Sequence, residues 1–134
     1  MNIGNVVAGA LRASLVAESD ITDLVGQNIY IQNAAETTVP YIRIVHISGG
    51  DENNSPRRSF DTIFRVTGVS SGKKEASDIA NLIDTNLTGA ELTFSDGFLC
   101  FAPVRSTAPY ADSALINNAN FYEFGAFYRI RGVQ

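Results

Sequence analysis

The sequence predicts an α+β fold, a single domain in which one antiparallel-rich β-sheet packs against two helices. Three observations carry that reading. Apolar residues recur at helical spacing in two stretches, one near the start and one from about Gly72 to Leu87. Elsewhere the apolar period drops to two, in runs rich in Val, Ile, Phe and Tyr. The length of 134 residues suits one core, since about 65–70% of the unfolded surface is buried at this size without metal or disulfide. No repeat, low-complexity tract or linker divides the chain, so residues 1–134 are read as one domain.

Ile3, Val6, Val7, Ala10, Leu11, Ser14 and Leu15 make the buried stripe of the first helix. Asp20 then caps a short second turn carrying Ile21, Leu24 and Val25, and Gly26 stops it. Ile29 and Ile31 alternate with polar neighbours as a short strand, and Pro40 opens the next, where its missing N–H costs little. In Tyr41–Ser48, Ile42 and Ile44 share one face while Tyr41, Arg43, Val45 and Ile47 share the other, the pattern of a central strand. Gly49–Ser59 is too polar and turn-rich to pack a core and is expected to project as a loop. Phe60–Ser70 is a strand, and the second helix follows with Ala76, Ile79, Ala80, Ile83 and Leu87 buried. Glu91–Val104 reads as a hairpin turning at Ser95-Asp96-Gly97. Arg105–Asn120 reads as irregular, with a turn of helix near Ala111–Ile116. Phe121–Val133 is a last strand, with Tyr122, Phe124, Ala126, Tyr128 and Ile130 opposite Phe121, Glu123, Phe127, Arg129 and Arg131.

The composition is that of a globular domain, 45% hydrophobic and 18% charged with a mean hydropathy of +0.02. Ten Lys and Arg against fourteen Asp and Glu give a net charge of −4 and a pI near 4.8. Sequence-independent nucleic-acid binding needs clustered cations, and here they are scattered. No stretch reaches the roughly 20 apolar residues of a membrane span, and no membrane partner or secretion signal is expected. The single cysteine, Cys100, excludes a disulfide within the chain and is expected as a small, reduced, core-facing side chain.

Catalytic motifs fail on inspection. Gly68-Val69-Ser70-Ser71-Gly72 matches the G-x-S-x-G elbow between strand and helix, but the one histidine, His46, precedes the serine instead of following it. Ser70 or Ser71 is expected to cap the helix instead, and His46 to be a hydrogen-bonded structural residue. Gly72-Lys73 lacks phosphate-loop spacing, with Lys74 where a magnesium-binding hydroxyl belongs. Asp51–Pro56 starts like a calcium loop, yet Pro56 and Thr62 occupy its glycine and final glutamate positions. One His and one Cys do not make a transition-metal site. No catalytic residue, cofactor or metal is assigned.

A resemblance adds a function. The N-terminal helix leading into Asp23-Leu24-Val25-Gly26, then Asn28-Ile29-Tyr30 and Val39-Pro40-Tyr41-Ile42, with a strand ending at Ser48-Gly49, resembles the tail completion proteins, or tail terminators, of tailed bacteriophages. The helix Lys74–Leu87, its Thr88-Gly89 end and the aromatic last strand fall in matching places. The resemblance implies a structural virion protein, not an enzyme. It implies a homo-oligomeric ring, usually a hexamer, on the head-proximal end of the tail tube. Such a ring stops polymerisation of the tube protein, borders the sheath protein where a sheath exists, and meets the head–tail connector. DNA passes through its channel without specific binding. A ring closes when two different patches on each copy are complementary. Asp51, Glu52, Arg57 and Arg58 in the polar loop, Lys73 and Lys74 at the helix start, and Phe127, Arg129 and Arg131 on the last strand are the expected contact residues. Phe121 and Tyr128 belong to the same aromatic strand. The alternatives are a connector, neck or minor tail protein of related fold, and a small serine hydrolase using Ser70.

Overall fold

The computed structural model describes residues 3–31, 39–53, 58–92, 94, 99–106, 110–116 and 119–133; at 51–53, 58, 110–116 and 119–120 only the backbone is described. In chain order the elements are α1 (Ile3–Val16), α2 (Ser19–Val25), β1 (Ile29–Ile31), β2 (Tyr41–Asn53), β3 (Arg58–Ser70), α3 (Lys73–Leu87), β4 (Leu99–Cys100), β5 (Val104–Arg105), β6 (Tyr110–Ile116) and β7 (Ala119–Val133). The seven strands form one sheet in the order β1-β2-β3-β7-β4, with β5 and β6 also pairing to β7. Only β1 and β2 run parallel; every other pair is antiparallel.

Strand β7 organises the far half of the sheet. One of its edges pairs with β3 from Tyr122 to Val133. Its other edge takes β6, β5 and β4 in succession. All three helices lie on one face, with α1 over β1 and β2, α3 over β3 and β7, and α2 against both helices. The stripe of α1 buries Ile3, Val7, Leu11 and Leu15, and that of α3 buries Ala76, Ile79, Ile83 and Leu87. They meet Ile42, Ile44, Phe60, Phe64, Val66, Ala126, Tyr128 and Ile130 of the sheet in one continuous core. Alternation places Tyr41, Arg43, Val45, Arg65, Phe127, Arg129 and Arg131 on the opposite face, which no described helix covers. The assignment of β2 as a central strand and the two faces of β7 agree with the sequence reading.

Four local expectations are corrected. Asp20 does not cap α2: Glu18 occupies the cap without a side-chain bond, and the Asp20 carboxylate instead accepts from Asn86 of α3 at 3.4 Å. Gly49–Ser59 is not a projecting loop, because β2 runs to Asn53, β3 starts at Arg58, and their ladder continues to the Asn53–Arg58 pair. A bulge between His46 and Ser48 shifts the register there. Gly49, at φ 85°, lies so close to β3 that a Cβ would sit 2.0 Å from the Asp61 carbonyl oxygen. Only residues 54–57, including Arg57, remain between these strands, outside the described residues.

Among the described residues the hairpin expected over Glu91–Val104 is not found: Glu91, Leu92 and Phe94 of its first arm are in no strand, and β4 and β5 of its second arm pair with β7. The turn residues Ser95-Asp96-Gly97 lie outside the described residues, while Leu92 and Phe94 pack on the core, Phe94 edge-on to Phe60 with centroids 5.6 Å apart. Burial of those two side chains outweighs local pairing. The helical turn expected at Ala111–Ile116 is strand β6. Ala111–Ala114 give its middle little β-propensity, though Tyr110 and Ile116 at its ends favour a strand, and it pairs along the free edge that β7 offers.

Candidate interaction surface

The histidine and serine of the apparent elbow are far apart. His46 stands opposite Phe64, and Ser70 is six residues further along β3, about 20 Å away at strand rise. The His46 Nε2 donates to the carbonyl oxygens of Ser48 and Gly49, both at 3.0 Å, and its ring stacks on Phe64 at 4.9 Å. These bonds hold the bulge closed. Ser70 is fully buried; its hydroxyl donates to Glu75 Oε1 at 2.5 Å and accepts from the Gly72 N–H at 3.2 Å. It therefore ties the strand end to the first turn of α3, although the cap position itself is Gly72. Asp51, Glu52 and Asn53 are extended and paired with β3, which is incompatible with a calcium-loop turn. Among the described residues no group of three His, Cys, Asp or Glu stands close enough to hold a metal ion, and no helix is long and apolar enough to cross a membrane.

Charged groups on the sheet are organised in pairs. On the helix-free face Arg43 Nη2 donates to Glu123 Oε2 at 2.8 Å, and Thr67 donates to the same oxygen at 2.6 Å. Arg129 forks onto Asp61, with Nε donating to Oδ1 at 2.9 Å and Nη2 to Oδ2. Beside this pair runs a shallow groove of about 410 Å³ lined by Ser48, Gly49, Asp61, Ile63, Ser106 and Arg129. On the helix side, Tyr128 donates to Asp84 Oδ1 at 2.9 Å, and Arg105 reaches Asp84 Oδ2 at 3.4 Å. Burial, reinforced by the Asp84 bond, keeps the Tyr128 phenol neutral far above its ordinary range. Burial likewise raises the Cys100 thiol to about 11; the side chain packs against the core but is half-buried, less enclosed than the sequence reading expected.

Asp61 gives a pH dependence. The hydrogen bond from Arg129 lowers its carboxyl below the ordinary range, with the charges of Arg129 and Arg131 adding to this against a smaller opposing effect of burial. A carboxyl depressed in the folded state stabilises the fold above its unfolded value of 3.8, and that contribution disappears as pH falls through the folded value. The pair is partly exposed, so its worth is below about 1 kcal/mol. The variant Asp61→Asn is expected to flatten the acid limb of a stability–pH profile below about pH 4 and to leave stability near neutrality changed by less than about 1 kcal/mol; urea midpoints from pH 2 to 7 measure both.

The expected contact residues separate into distinct places. Asp51 and Glu52 stand opposite Phe60 and Ser59, and Arg58 opposite Asn53, at the far end of the β2–β3 hairpin. Lys73 and Lys74 open α3 at the other end of β3 and are exposed, with Lys74 donating to Asp78 at 3.1 Å. Phe127, Arg129 and Arg131 share the helix-free face, Phe127 half-buried and both arginines exposed. Tyr128 points the other way, 1% exposed within the core, so it supplies no contact surface.

Sequence reasoning missed the most exposed apolar side chains. Leu99, Phe101 and Val104 are 72%, 55% and 54% exposed. Leu99 pairs with Val133, the Phe101 N–H donates to the Arg131 carbonyl, and Val104 pairs with Arg129, so all three stand on the helix-free face beside the two arginines. Alternation in Leu99-Cys100-Phe101 was visible, but its outer face is exposed only because β4 is an edge strand.

These features define a class: a small α+β domain with a sheet face that no described helix covers and an exposed apolar edge. The sequence profile of tail completion protein gp17 matches residues 9–112, and the chain belongs to that family. Membership makes it a tail-associated protein. The same fold occurs in one chain of the virion of a native gene transfer agent particle, with a TM-score of 0.77 and 17% identity over 98% of each chain. A second solved structure superposes with a TM-score of 0.58 and 14% identity, covering 98% of this chain and 95% of the other. No curated protein sequence matches the chain.

Proposed function

We propose that this chain forms a ring, hexameric in its complete state, on the head-proximal end of the tail tube. The ring ends polymerisation of the tube protein and presents the surface on which the head–tail connector docks, bordering the sheath protein in a contractile tail. It assembles in the host cytoplasm and remains in the tail and neck of the virion. The observation that carries this reading is the exposed apolar edge formed by β4 and β5 in a member of the tail completion family. A monomer gains nothing from leaving Leu99, Phe101 and Val104 in water, whereas a subunit interface buries them. On this reading Asp51, Glu52, Arg57 and Arg58 meet a neighbour or the tube at the hairpin end. Lys73, Lys74, Phe127, Arg129 and Arg131 supply further contacts to neighbouring copies. Phage particles lacking the gene are expected to assemble tubes of uncontrolled length; tubes of normal length that simply fail to join heads would assign the chain to the connector instead.

The hairpin contributes a separate expectation. Exchanging residues 54–57 for a two-residue Asn-Gly turn keeps the Asn53–Arg58 register and is expected to leave the monomer folded while abolishing capping. Circular dichroism and tube-length measurement check the two halves, and retained capping would show that the hairpin end touches nothing.

A ring traversed by DNA must not grip phosphate. Arg43 and Arg129 are already engaged by Glu123 and Asp61. The isolated protein is therefore expected to give no duplex-DNA mobility shift at physiological salt. A salt-dependent shift at micromolar protein would contradict this.

A further inference from the structure

We infer that neighbouring copies join by seating the outer face of α2 from one copy on the β4–β5 edge of the next. This rests on the ring reading above and assigns its contact surfaces.

The edge presents three exposed apolar side chains, Leu99, Phe101 and Val104, flanked by the exposed guanidinium groups of Arg129 and Arg131. Its complement lies elsewhere on the same chain. Helix α2 buries Ile21 and Val25 and turns Asp20, Asp23 and Leu24 outward, at the i, i+3, i+4 spacing of one helical face. Leu24 is the one exposed large hydrophobic residue on the described helices. An apolar centre beside the Asp23 carboxylate thus matches an apolar strip beside the Arg131 guanidinium, while Asp20 and Arg129 stay with Asn86 and Asp61 of their own copy, and this fixes register as well as attraction.

Geometry determines how such a contact propagates. Helix α2 packs against α1 and α3 in the helix layer, while the strip faces away from that layer on the other side of the sheet. One copy cannot satisfy its own patches. Two copies that join through one pair leave the second pair facing outward, so the contact runs head to tail, the kind of contact from which a closed ring is built.

The test uses purified tails carrying the protein. In a Cys100→Ala background, Leu24→Cys combined with Phe101→Cys is expected to give, on mild oxidation, a covalent ladder from dimers up to the full ring. Phe101→Asp, at a position 55% exposed and so leaving thermal unfolding unchanged, is expected to weaken self-association on the tube end at least about tenfold, and Leu24→Gln to weaken it in the same direction. Asp23→Arg and Arg131→Glu are each expected to weaken it, and the two together to restore it. Several copies at the tube end without cross-links, or single reversals without effect, would overturn the surface assignment while leaving the ring intact. A single copy per tail would overturn the ring reading and this inference with it.

Discussion

Replacing Phe64 by alanine is expected to cost about 3–5 kcal/mol, a large part of the 5–15 kcal/mol typical of a domain this size. Phe64 is fully buried at the centre of the sheet, between His46 of β2 and Tyr128 of β7, and it faces the helix layer. Its removal opens a cavity enclosed by secondary structure, which relaxes poorly. It also takes away the ring on which His46 stacks, loosening the bulge that lets the β2–β3 ladder continue past Ser48. Urea unfolding followed by circular dichroism reads the cost as a shifted midpoint at unchanged slope. A loss below about 1 kcal/mol would mean that the two sheet halves and the helices do not share one core.

Gly125→Ala is expected to be nearly as damaging, at about 3 kcal/mol, although it adds a single methyl group. A Cβ at position 125 would lie 2.1 Å from the Val66 carbonyl oxygen and 2.7 Å from Thr67 Cα. Both are backbone atoms of the neighbouring central strand, so no rotamer change relieves the contact. The β3–β7 ladder must separate there, and β6 loses its alignment because Tyr110 pairs with Gly125 from the other edge. Gly9→Ala is the control: its Cβ would meet nothing within 4 Å in α1, so stability there is expected to be unchanged or raised by up to about 1 kcal/mol. The same urea titration on both variants makes the comparison.

Much of the fold was legible because periodicity survives wherever an element has one buried face. The stripes of α1 and α3, the alternation of Ile42 and Ile44, and the two faces of β7 all follow from that rule. The errors share a different cause. Gly49–Asn53 has the composition of a loop and Ala111–Ile116 reads as a turn of helix, and both are strands because a longer neighbour supplies the hydrogen-bonding edge. Leu92 and Phe94 have the pattern of a strand and serve instead to fill the core. Pairing across the sheet is a non-local property that no short window of sequence contains. The interaction surface was half legible for the same reason. Arg129 and Arg131 were found from alternation along one strand, whereas the role of Leu99, Phe101 and Val104 depends on β4 and β5 lying at an edge. The Ser70 elbow was correctly set aside, since the chemistry it suggests needs a histidine that the fold places about 20 Å away.

The most direct test of the ring proposal is to count and locate this protein on purified tails by electron microscopy. Six copies arranged around the head-proximal end of the tube are expected. A single copy, or a position separated from the tube end by another ring, would contradict the proposal.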